Sequence, residues 1–336
     1  MMHFYDLAAL PTSQIRELLE LSRRLREKPE PRALEGKVLA LLFMSPSLRT
    51  VSSFQAAMTR LGGGTFVISP DKSTHGLESQ HGIVMEGRAA EHTRDAIPVL
   101  EAYGDAMGIR AFAARRNLTD DLADQAYKSI ASLVKKPLIN LESAAQHPCQ
   151  SLADWKTLDE LNLPREKAKI VISWAYHPRA LPLSGPISAL QMAAMRGMDI
   201  VVLRPEGFAL PESVMSNAAR LAVSSGGSIG QTSDRAAAFA GAHVVYVKEW
   251  SSTAHYGDRL AEDKLRADLN DWCIDEPWFA NADKACRVMH AMPVRRGVAI
   301  HDRVLDGPRS VLTQQAGNRM WTQMALLHRM LLSGGT

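Results

Sequence analysis

The residues best suited to chemistry stand directly after short apolar runs, and the segment SPSLRT is the first of these. It follows the apolar run Lys37–Phe43, and its Ser47 can cap a helix that begins at Leu48. The backbone N–H groups and the dipole at a helix N-terminus attract phosphate, and Arg49 and Thr50 add a guanidinium and a hydroxyl. An ordinary serine cap followed by a solvated arginine explains the same residues, so both interpretations stay open.

Four further polar residues lie in or near the apolar runs. His147 and Gln150, one turn apart at a helix start, can hold a carbonyl oxygen and an amide, or they can be a structural histidine and a polar helix start. Arg110, inside the apolar segment MGIRAF, needs a partner and is therefore either an ion-pair residue or an anion ligand. Glu142 either accepts hydrogen bonds from a cationic group or is an exposed structural glutamate.

The C-terminal part of the sequence adds two segments of the same kind. In HAMPVRR, the backbone carbonyls near Ala291 and Met292 end an apolar run, and the two arginines that follow can bind carboxylates. An ordinary strand end with a basic loop is the alternative. In QQAGNR, Arg319 is presented near the start of the last helix.

Cys149 follows a proline at a helix start, which suits either a thiol of lowered pKa or a small buried residue.

The composition bounds the class of protein. A length of 336 residues suggests two domains, and 46% hydrophobic with 22% charged residues is typical of a compact soluble protein. No apolar stretch approaches the roughly 18 residues that span a bilayer, and the first residues do not resemble a secretory signal, so we expect a cytoplasmic location. The three cysteines form no CxxC pair, and a net charge of +3 does not indicate nucleic-acid binding.

Short β-rich runs alternate with amphipathic helical patterns along the whole chain. This alternation predicts two doubly wound, parallel α/β sheets, with a boundary in the region 141–169. We assign residues 1–145 to the first domain, 146–310 to the second, and 311–336 to a C-terminal helix that packs back toward the first. In such sheets ligands bind beyond the carboxyl ends of the strands, where the segments described above lie.

Together these segments resemble the aspartate/ornithine carbamoyltransferase family. FMSPSLRT resembles the carbamoyl phosphate motif of the family, HPCQSLADWKTLDE its HPxQxLxDxxTxxE segment, and HAMPVRR its HCLP(V/L)RR segment. Within the family, GIVMEGRAAEH, SWAYHPRALPLSG and HVVYVKEW are similar to segments of the N-acetylornithine and N-succinylornithine enzymes. The resemblance implies an active site between two domains, a homotrimer, a trefoil knot in the second domain, and a reaction that needs no metal and no organic cofactor.

The resemblance also implies roles for individual residues. Carbamoyl phosphate would be bound by the following residues: Ser47, Leu48, Arg49, Thr50, His75, Arg110, His147, Gln150, Ala291, Met292 and Arg319. The catalytic residues among them would be Arg49, Thr50, Arg110, His147 and Gln150. The amine acceptor would be contacted by Glu142, Lys248, Met292 and Ala90. His75 falls where the acetylornithine enzymes carry a tryptophan that reaches into the neighbouring subunit's site, in the loop 71–87.

Several positions depart from the family pattern, mostly on the acceptor side. Val51 replaces the arginine that usually follows SxRT, Ala291 replaces the cysteine of HCLP, and Ala299 replaces a lysine that is carboxylated in some acetylornithine enzymes. Ala90 aligns with a glutamate of the acetylornithine enzymes and a proline of the succinylornithine enzymes. We therefore expect a carbamoyl transfer to an N-acylornithine-type amine. A carbamoyltransferase of specialised metabolism and a catalytically silent binding subunit remain as alternatives.

Overall fold

The computed structural model describes residues 3–70, 75–80, 82–164 and 166–332. The chain divides into two compact units. Unit 1 contains the residues up to Ala113, Thr119–Cys149, and the residues from Arg319 onward, whereas unit 2 contains Ala114–Leu118 and Gln150–Asn318. The division therefore falls a few residues after position 145 and within the last helix. Within the described ranges, no helix is both long and apolar enough to cross a membrane.

Unit 1 is built from helices and strands that alternate along the chain. In chain order they are α1 (Thr12–Glu27), β1 (Val38–Phe43), α2 (Leu48–Arg60), β2 (Gly64–Ile68), β3 (Leu77–Glu78), β4 (Glu91–His92), α3 (Thr93–Tyr103), β5 (Ala106–Arg110), α4 (Leu118–Leu122), α5 (Gln125–Ala131), β6 (Leu138–Glu142) and the start of α6 (Pro148–Glu160). A 3₁₀ helix, Leu7–Ala9, precedes α1.

The main sheet of unit 1 has the strand order β2-β1-β5-β6, and every pairing in it is parallel. The central strand β1, with the sequence VLALLF, is buried along almost its whole length, as expected for a strand covered on both faces. Ile97 of α3 and Tyr127 and Ile130 of α5 belong to the core that packs on this sheet. This burial fixes the carboxyl ends of β1 and β5 beside each other.

Unit 2 repeats the same architecture with a second parallel sheet. After the rest of α6, its elements are β7 (Lys169–Trp174), α7 (Ser184–Met195), β8 (Asp199–Leu203), α8 (Glu212–Ser224), β9 (Ser228–Thr232), α9 (Arg235–Phe239), β10 (Val244–Lys248), α10 (Arg259–Arg266), β11 (Arg287–His290), α11 (Asp302–Leu305) and the start of α12 (Leu312–Leu332), which continues in unit 1 from Arg319. The strand order is β11-β10-β7-β8-β9. Every residue of α7 is buried, which explains its lack of a polar face.

The prediction of two parallel α/β sheets is confirmed, and most of the predicted elements are present. The helical pattern of residues 120–134 predicts a single helix, and this prediction is wrong, because the structure has two helices, α4 and α5, separated at Asp124. Asp124 has a left-handed backbone (φ 54°), and its carboxylate accepts hydrogen bonds from Ser143 Oγ (2.7 Å) and the backbone N–H of Ala145 (3.0 Å). These bonds to residues about 20 positions away stabilise a conformation that a helical pattern cannot reveal. The trefoil knot is not established by the strand pairings and stays a prediction.

Candidate active site

The polar residues of unit 1 gather where its strand order reverses. From β1 the chain continues to β2 on one side, and β5, the next strand of this sheet, pairs with the other side of β1. At such a switch point the carboxyl ends of neighbouring strands leave a crevice suited to ligands. The two ends are joined by a hydrogen bond from the backbone N–H of Met44 to the carbonyl of Arg110 (2.9 Å).

The N-terminus of α2 lies directly after β1. Ser47 is the N-cap, and its Oγ accepts a hydrogen bond from the backbone N–H of Thr50 (3.2 Å) and donates to Thr50 Oγ1 (2.9 Å). Arg319 Nη2 also donates to Thr50 Oγ1 (2.8 Å), so the threonine oxygen accepts twice and its own O–H proton can be donated to a ligand. Leu48 is 74% exposed, and its side chain is apolar and cannot bind an anion. The group of this residue that is suited to an anion is therefore its backbone N–H.

Arg110, at the end of β5, is both an ion-pair residue and a candidate anion ligand. Its Nη1 donates to Glu142 Oε2, and its guanidinium lies 4.2 Å from the centre of the Phe112 ring. His147 Nε2 lies 3.2 Å from the same Glu142 oxygen. Glu142 is buried, so its interpretation as an exposed structural residue is wrong. The Nε of Arg110 is buried and has no hydrogen-bond partner in the described part of the chain.

Positive charge accumulates around Thr50. Arg319 is only 3% exposed, and its pKa is lowered by burial and by the nearby guanidinium groups of Arg110 and Arg49, although Cys149 and Glu142 act in the opposite direction. The pKa of the half-buried Arg49 is likewise lowered, first by burial and then by Arg110. Buried Arg319 Nε has no partner among the described residues. Cations that disfavour one another in this way are well suited to an anionic ligand.

Cys149 is a buried, neutral thiol. Burial raises its pKa to about 12, and the positive charge of Arg319 offsets this only in part. Its Sγ donates a weak hydrogen bond to the carbonyl of Asn140 (3.5 Å). Of the two interpretations of this cysteine, the small buried residue is therefore supported, and a thiolate nucleophile is not.

In unit 2, a buried carboxylate orients Gln150. Asp154 Oδ1 accepts hydrogen bonds from Gln150 Nε2 (2.8 Å) and Gln315 Nε2 (2.7 Å), and its Oδ2 accepts one from the hydroxyl of Tyr246 (2.8 Å). Gln315 Oε1 in turn accepts the backbone N–H of His290 (2.9 Å). Because the amide nitrogen of Gln150 is engaged by Asp154, its amide oxygen is the atom that can accept a hydrogen bond from a ligand N–H.

The other predicted residues of unit 2 lie at the ends of β10 and β11. Lys248 ends β10, and its Nζ donates to Glu249 Oε2 (2.6 Å). His290 ends β11, and the Met292–Pro293 peptide that follows is cis. Ala291 is buried, whereas Met292 is 37% exposed.

Of the two arginines after Pro293, Arg295 donates from Nε to His177 Nε2 (2.9 Å). That nitrogen is therefore unprotonated and the imidazole neutral, and burial lowers the pKa of His177 in agreement. Arg296 pairs instead with Asp302 and Asp306 on the surface. Both arginines are exposed, but the partner of Arg295, His177, is buried, whereas the partners of Arg296 lie on the surface.

Two predicted residues, His75 and Ala90, are exposed in the structure. The loop 71–87, in which His75 lies, falls partly outside the described residues, at positions 71–74 and 81. The roles of both residues therefore stay predictions.

Sequence reasoning missed the residues that hold the others in place. Asp154 lies one helical turn after Gln150, and such i, i+4 amide–carboxylate pairs are a recognisable signal. Tyr246 and Gln315 contact Asp154 only through the packing of separate strands and helices. The pairing of Glu249 with His290, 41 positions away, has no signature in the sequence.

The fold and these residues together define a class: a two-unit parallel α/β protein with a cluster of arginines at the switch point of its first sheet. Two family models match the chain. The model "Aspartate/ornithine carbamoyltransferase, carbamoyl-P binding domain" matches residues 2–160, and the model "Aspartate/ornithine carbamoyltransferase, Asp/Orn binding domain" matches residues 187–330. The chain belongs to the aspartate/ornithine carbamoyltransferase family, and it is a carbamoyltransferase.

Individual relatives are similar over nearly the whole chain. The N-acetylornithine carbamoyltransferase of Xanthomonas campestris pv. campestris is 34% identical over 97% of this chain and 96% of its own length. The N-succinylornithine carbamoyltransferase of Bacteroides thetaiotaomicron is 31% identical over 88% of each chain. The crystal structure of acetylornithine transcarbamylase complexed with acetylcitrulline matches with a TM-score of 0.93 and 33% identity, covering 98% of this chain and 99% of that one.

Proposed function

We propose that the protein transfers the carbamoyl group of carbamoyl phosphate to the side-chain amine of an N-acylornithine and releases phosphate. The observation that carries this proposal is the cluster of Arg49, Arg110 and Arg319 around Thr50 at the N-terminus of α2, with the buried carboxylate of Glu142 beside it. A dianionic phosphate neutralises the guanidinium groups, which would otherwise raise one another's energy.

The cluster suits both ends of carbamoyl phosphate. Arg49, Arg319 and the N–H groups at the start of α2 bind the phosphate and stabilise it as a leaving group. Thr50, Arg110 and His147 donate to the carbonyl oxygen, which becomes negatively charged when the amine attacks. Donors preset in this way contribute about 3–4 kcal/mol each to the stabilisation of a transition state. Glu142 orients two of them, because it is bonded to both Arg110 and His147.

The carbamoyl NH2 group needs acceptors rather than donors. The amide oxygen of Gln150 is such an acceptor, because Asp154 engages the amide nitrogen. The backbone carbonyls near Ala291 and Met292 are proposed to accept the second N–H bond. A phosphate oxygen can take the proton of the attacking amine, so this reaction requires no dedicated side-chain base.

For the acceptor, we propose Lys248, Glu142, Met292 and Ala90 as contacts, with His75 acting at the carbamoyl phosphate site of a neighbouring subunit. Lys248 supplies a positive charge for a carboxylate of the acceptor. Ala90 brings neither charge nor bulk, so it would not repel a second carboxylate. A like-charge contact at short range costs on the order of a few kcal/mol, which is enough to set specificity. N-succinylornithine is therefore favoured over N-acetylornithine.

The active form is proposed to be a cytoplasmic homotrimer. The resemblance to the family supports this proposal through the loop 71–87, whose equivalent reaches a neighbouring subunit. Light scattering at the assay concentration tests it, and a fully active monomer would contradict it.

The acceptor is tested by measuring phosphate release with carbamoyl phosphate and a panel of amines. The panel contains N-acetyl-L-ornithine, N-succinyl-L-ornithine, L-ornithine and shorter diamino acids. We expect kcat/KM to be highest with N-succinylornithine. A clear preference for N-acetylornithine would show that Ala90 does not control the choice, and activity only with an unacylated amine would support a function in specialised metabolism.

A further inference from the structure

A buried carboxylate on the acceptor side has no role in the reaction described above. Glu249 directly follows β10 and is only 1% exposed. Its Oε2 accepts a hydrogen bond from Lys248 Nζ (2.6 Å), and its Oε1 lies 3.1 Å from His290 Nε2. The three side chains form a hydrogen-bonded cluster that joins the carboxyl ends of the neighbouring strands β10 and β11.

Contacts with Glu249 and Gly185 hold Lys248 in one position. Successive side chains of a strand point to opposite faces, so Lys248 and Glu249 can meet only because β10 ends at Lys248. The stem of the lysine also packs on Gly185 at the start of α7. A Cβ atom at Gly185 would lie 3.0 Å from Lys248 Cε, which is closer than ordinary packing allows.

The charge of Glu249 is stabilised by its two partners. Burial alone raises the pKa of this carboxyl group, but the charges of Lys248 and His290 and their hydrogen bonds lower it well below its usual range. The carboxylate is therefore ionised throughout the neutral range. An ammonium buried to this extent (14% exposed side chain) is costly without a counter-charge, and Glu249 supplies one.

We infer that Glu249 is a positioning residue for acceptor binding, which fixes the ammonium of Lys248 and the imidazole of His290 in a single arrangement. The inference rests on the proposed function, in which Lys248 contacts the acceptor. Glu249 need not touch the acceptor itself, because it is buried and both of its oxygens already have hydrogen-bond partners. Its removal should therefore weaken binding of the acceptor while leaving carbamoyl phosphate binding, whose charged contacts Arg49, Arg110 and Arg319 lie in unit 1, nearly unchanged.

The test measures KM for both substrates in Glu249→Gln, Glu249→Asp and Lys248→Met, with N-acetyl-L-ornithine and N-succinyl-L-ornithine as acceptors. Glu249→Gln should raise the acceptor KM at least about tenfold and change the carbamoyl phosphate KM by less than about twofold. Glu249→Asp keeps the charge, so its acceptor KM should lie between those of Glu249→Gln and the wild type. If Glu249→Gln does not fold, the same acceptor-specific rise is required of Glu249→Asp.

A double-mutant cycle shows whether Glu249 acts by positioning Lys248 or affects acceptor binding independently of Lys248. If Glu249 acts through Lys248, the double variant Lys248→Met/Glu249→Gln should have an acceptor KM no higher than that of Lys248→Met. As a control for the loss of a buried carboxylate charge, Glu101→Gln in unit 1 neutralises the side chain whose Oε1 accepts hydrogen bonds from the backbone N–H groups of Lys135 and Lys136. This control should leave both KM values unchanged.

Three outcomes would overturn the inference. One is that Glu249→Gln raises both KM values together or neither of them. A second is that the effects of the two substitutions multiply in the double variant. In both cases, the proposed function would still stand if Lys248→Met raised the KM for the acceptor alone. The third is that Lys248→Met leaves the acceptor KM unchanged, which would refute the proposed role of Lys248 together with the inference.

Discussion

Replacing Arg319 by methionine should separate stability from function, because its charge serves the ligand more than the fold. Arg319 is buried, and its pKa is lowered by burial and by the positive charges nearby. A base whose pKa falls on folding holds its proton more tightly in the unfolded chain, so the charge destabilises the folded state throughout the neutral range. Glu142 keeps its partners Arg110 and His147 in the variant, so no carboxylate is left unpaired.

The magnitudes follow from these contacts. Loss of the hydrogen bond to Thr50 costs about 0.5–1.5 kcal/mol, and removal of a buried, repelled charge by an apolar chain of similar size offsets this. The free energy of unfolding of the ligand-free protein should therefore change by no more than about 1 kcal/mol, or roughly 1–2 °C in the unfolding midpoint. Turnover should fall on the order of 100- to 1000-fold, because a charged contact to the transition state is lost.

The assay combines thermal unfolding with phosphate release, each with and without inorganic phosphate. For the wild type, phosphate at about 100 times its Kd should stabilise the fold by about 2.7 kcal/mol, and Arg319→Met should lose most of this gain. Arg266→Met is the matched control, because Arg266 is equally buried and is the partner of buried Glu262. Its loss leaves that carboxylate uncompensated and should cost about 3–5 kcal/mol.

The reasoning is refuted if Arg319→Met destabilises the ligand-free protein as much as Arg266→Met does. Such a result would make Arg319 a structural ion-pair residue. Near wild-type turnover in Arg319→Met would refute its assignment to the phosphate site.

Three other predictions follow from the site. Arg49→Ala should keep the fold, as judged by circular dichroism, and should lower kcat/KM about 100-fold or more. Near wild-type activity would contradict the assignment of Arg49 to the phosphate site. Native Cys149 should resist iodoacetamide between pH 7 and 9, because its pKa of about 12 leaves almost no thiolate, and rapid labelling detected by mass spectrometry would contradict this burial. Ala90→Glu should lower kcat/KM for N-succinylornithine about tenfold or more relative to N-acetylornithine, and an unchanged ratio would exclude a charge effect at this position.

Much of the fold follows from the pattern of apolar residues. The run that forms β1 and the Ser47 cap of α2 are visible in the sequence because both depend on neighbouring residues. The polar strand β9 was missed, since it lies at the edge of its sheet and has no apolar alternation. The charged helix α10 was missed for a similar reason: its buried residues include Glu262 and Arg266, which pair with each other and form no apolar stripe.

The site could be predicted only in part, because its residues come from distant positions. The segment around Ser47 and Thr50 carries its own signal, as a helix start after a buried strand. Arg319 bonds to Thr50 across 269 positions, and only the resemblance to a family placed them together in advance. The sequence alone also left open whether Arg110 is an ion-pair residue or an anion ligand, since that depends on the pairing of β5 with β6, where it meets Glu142.

The central claim is that the carbamoyl carbon moves from carbamoyl phosphate to an N-acylornithine amine. The most direct measurement uses carbamoyl phosphate labelled with carbon-13 and follows the label by nuclear magnetic resonance in the presence of N-succinylornithine or N-acetylornithine. The account predicts that the label appears in the ureido carbon of an N-acylcitrulline in step with phosphate release, and that Arg319→Met slows both equally. Label that appears only in the breakdown products of carbamoyl phosphate, at the rate seen without enzyme, would contradict the account.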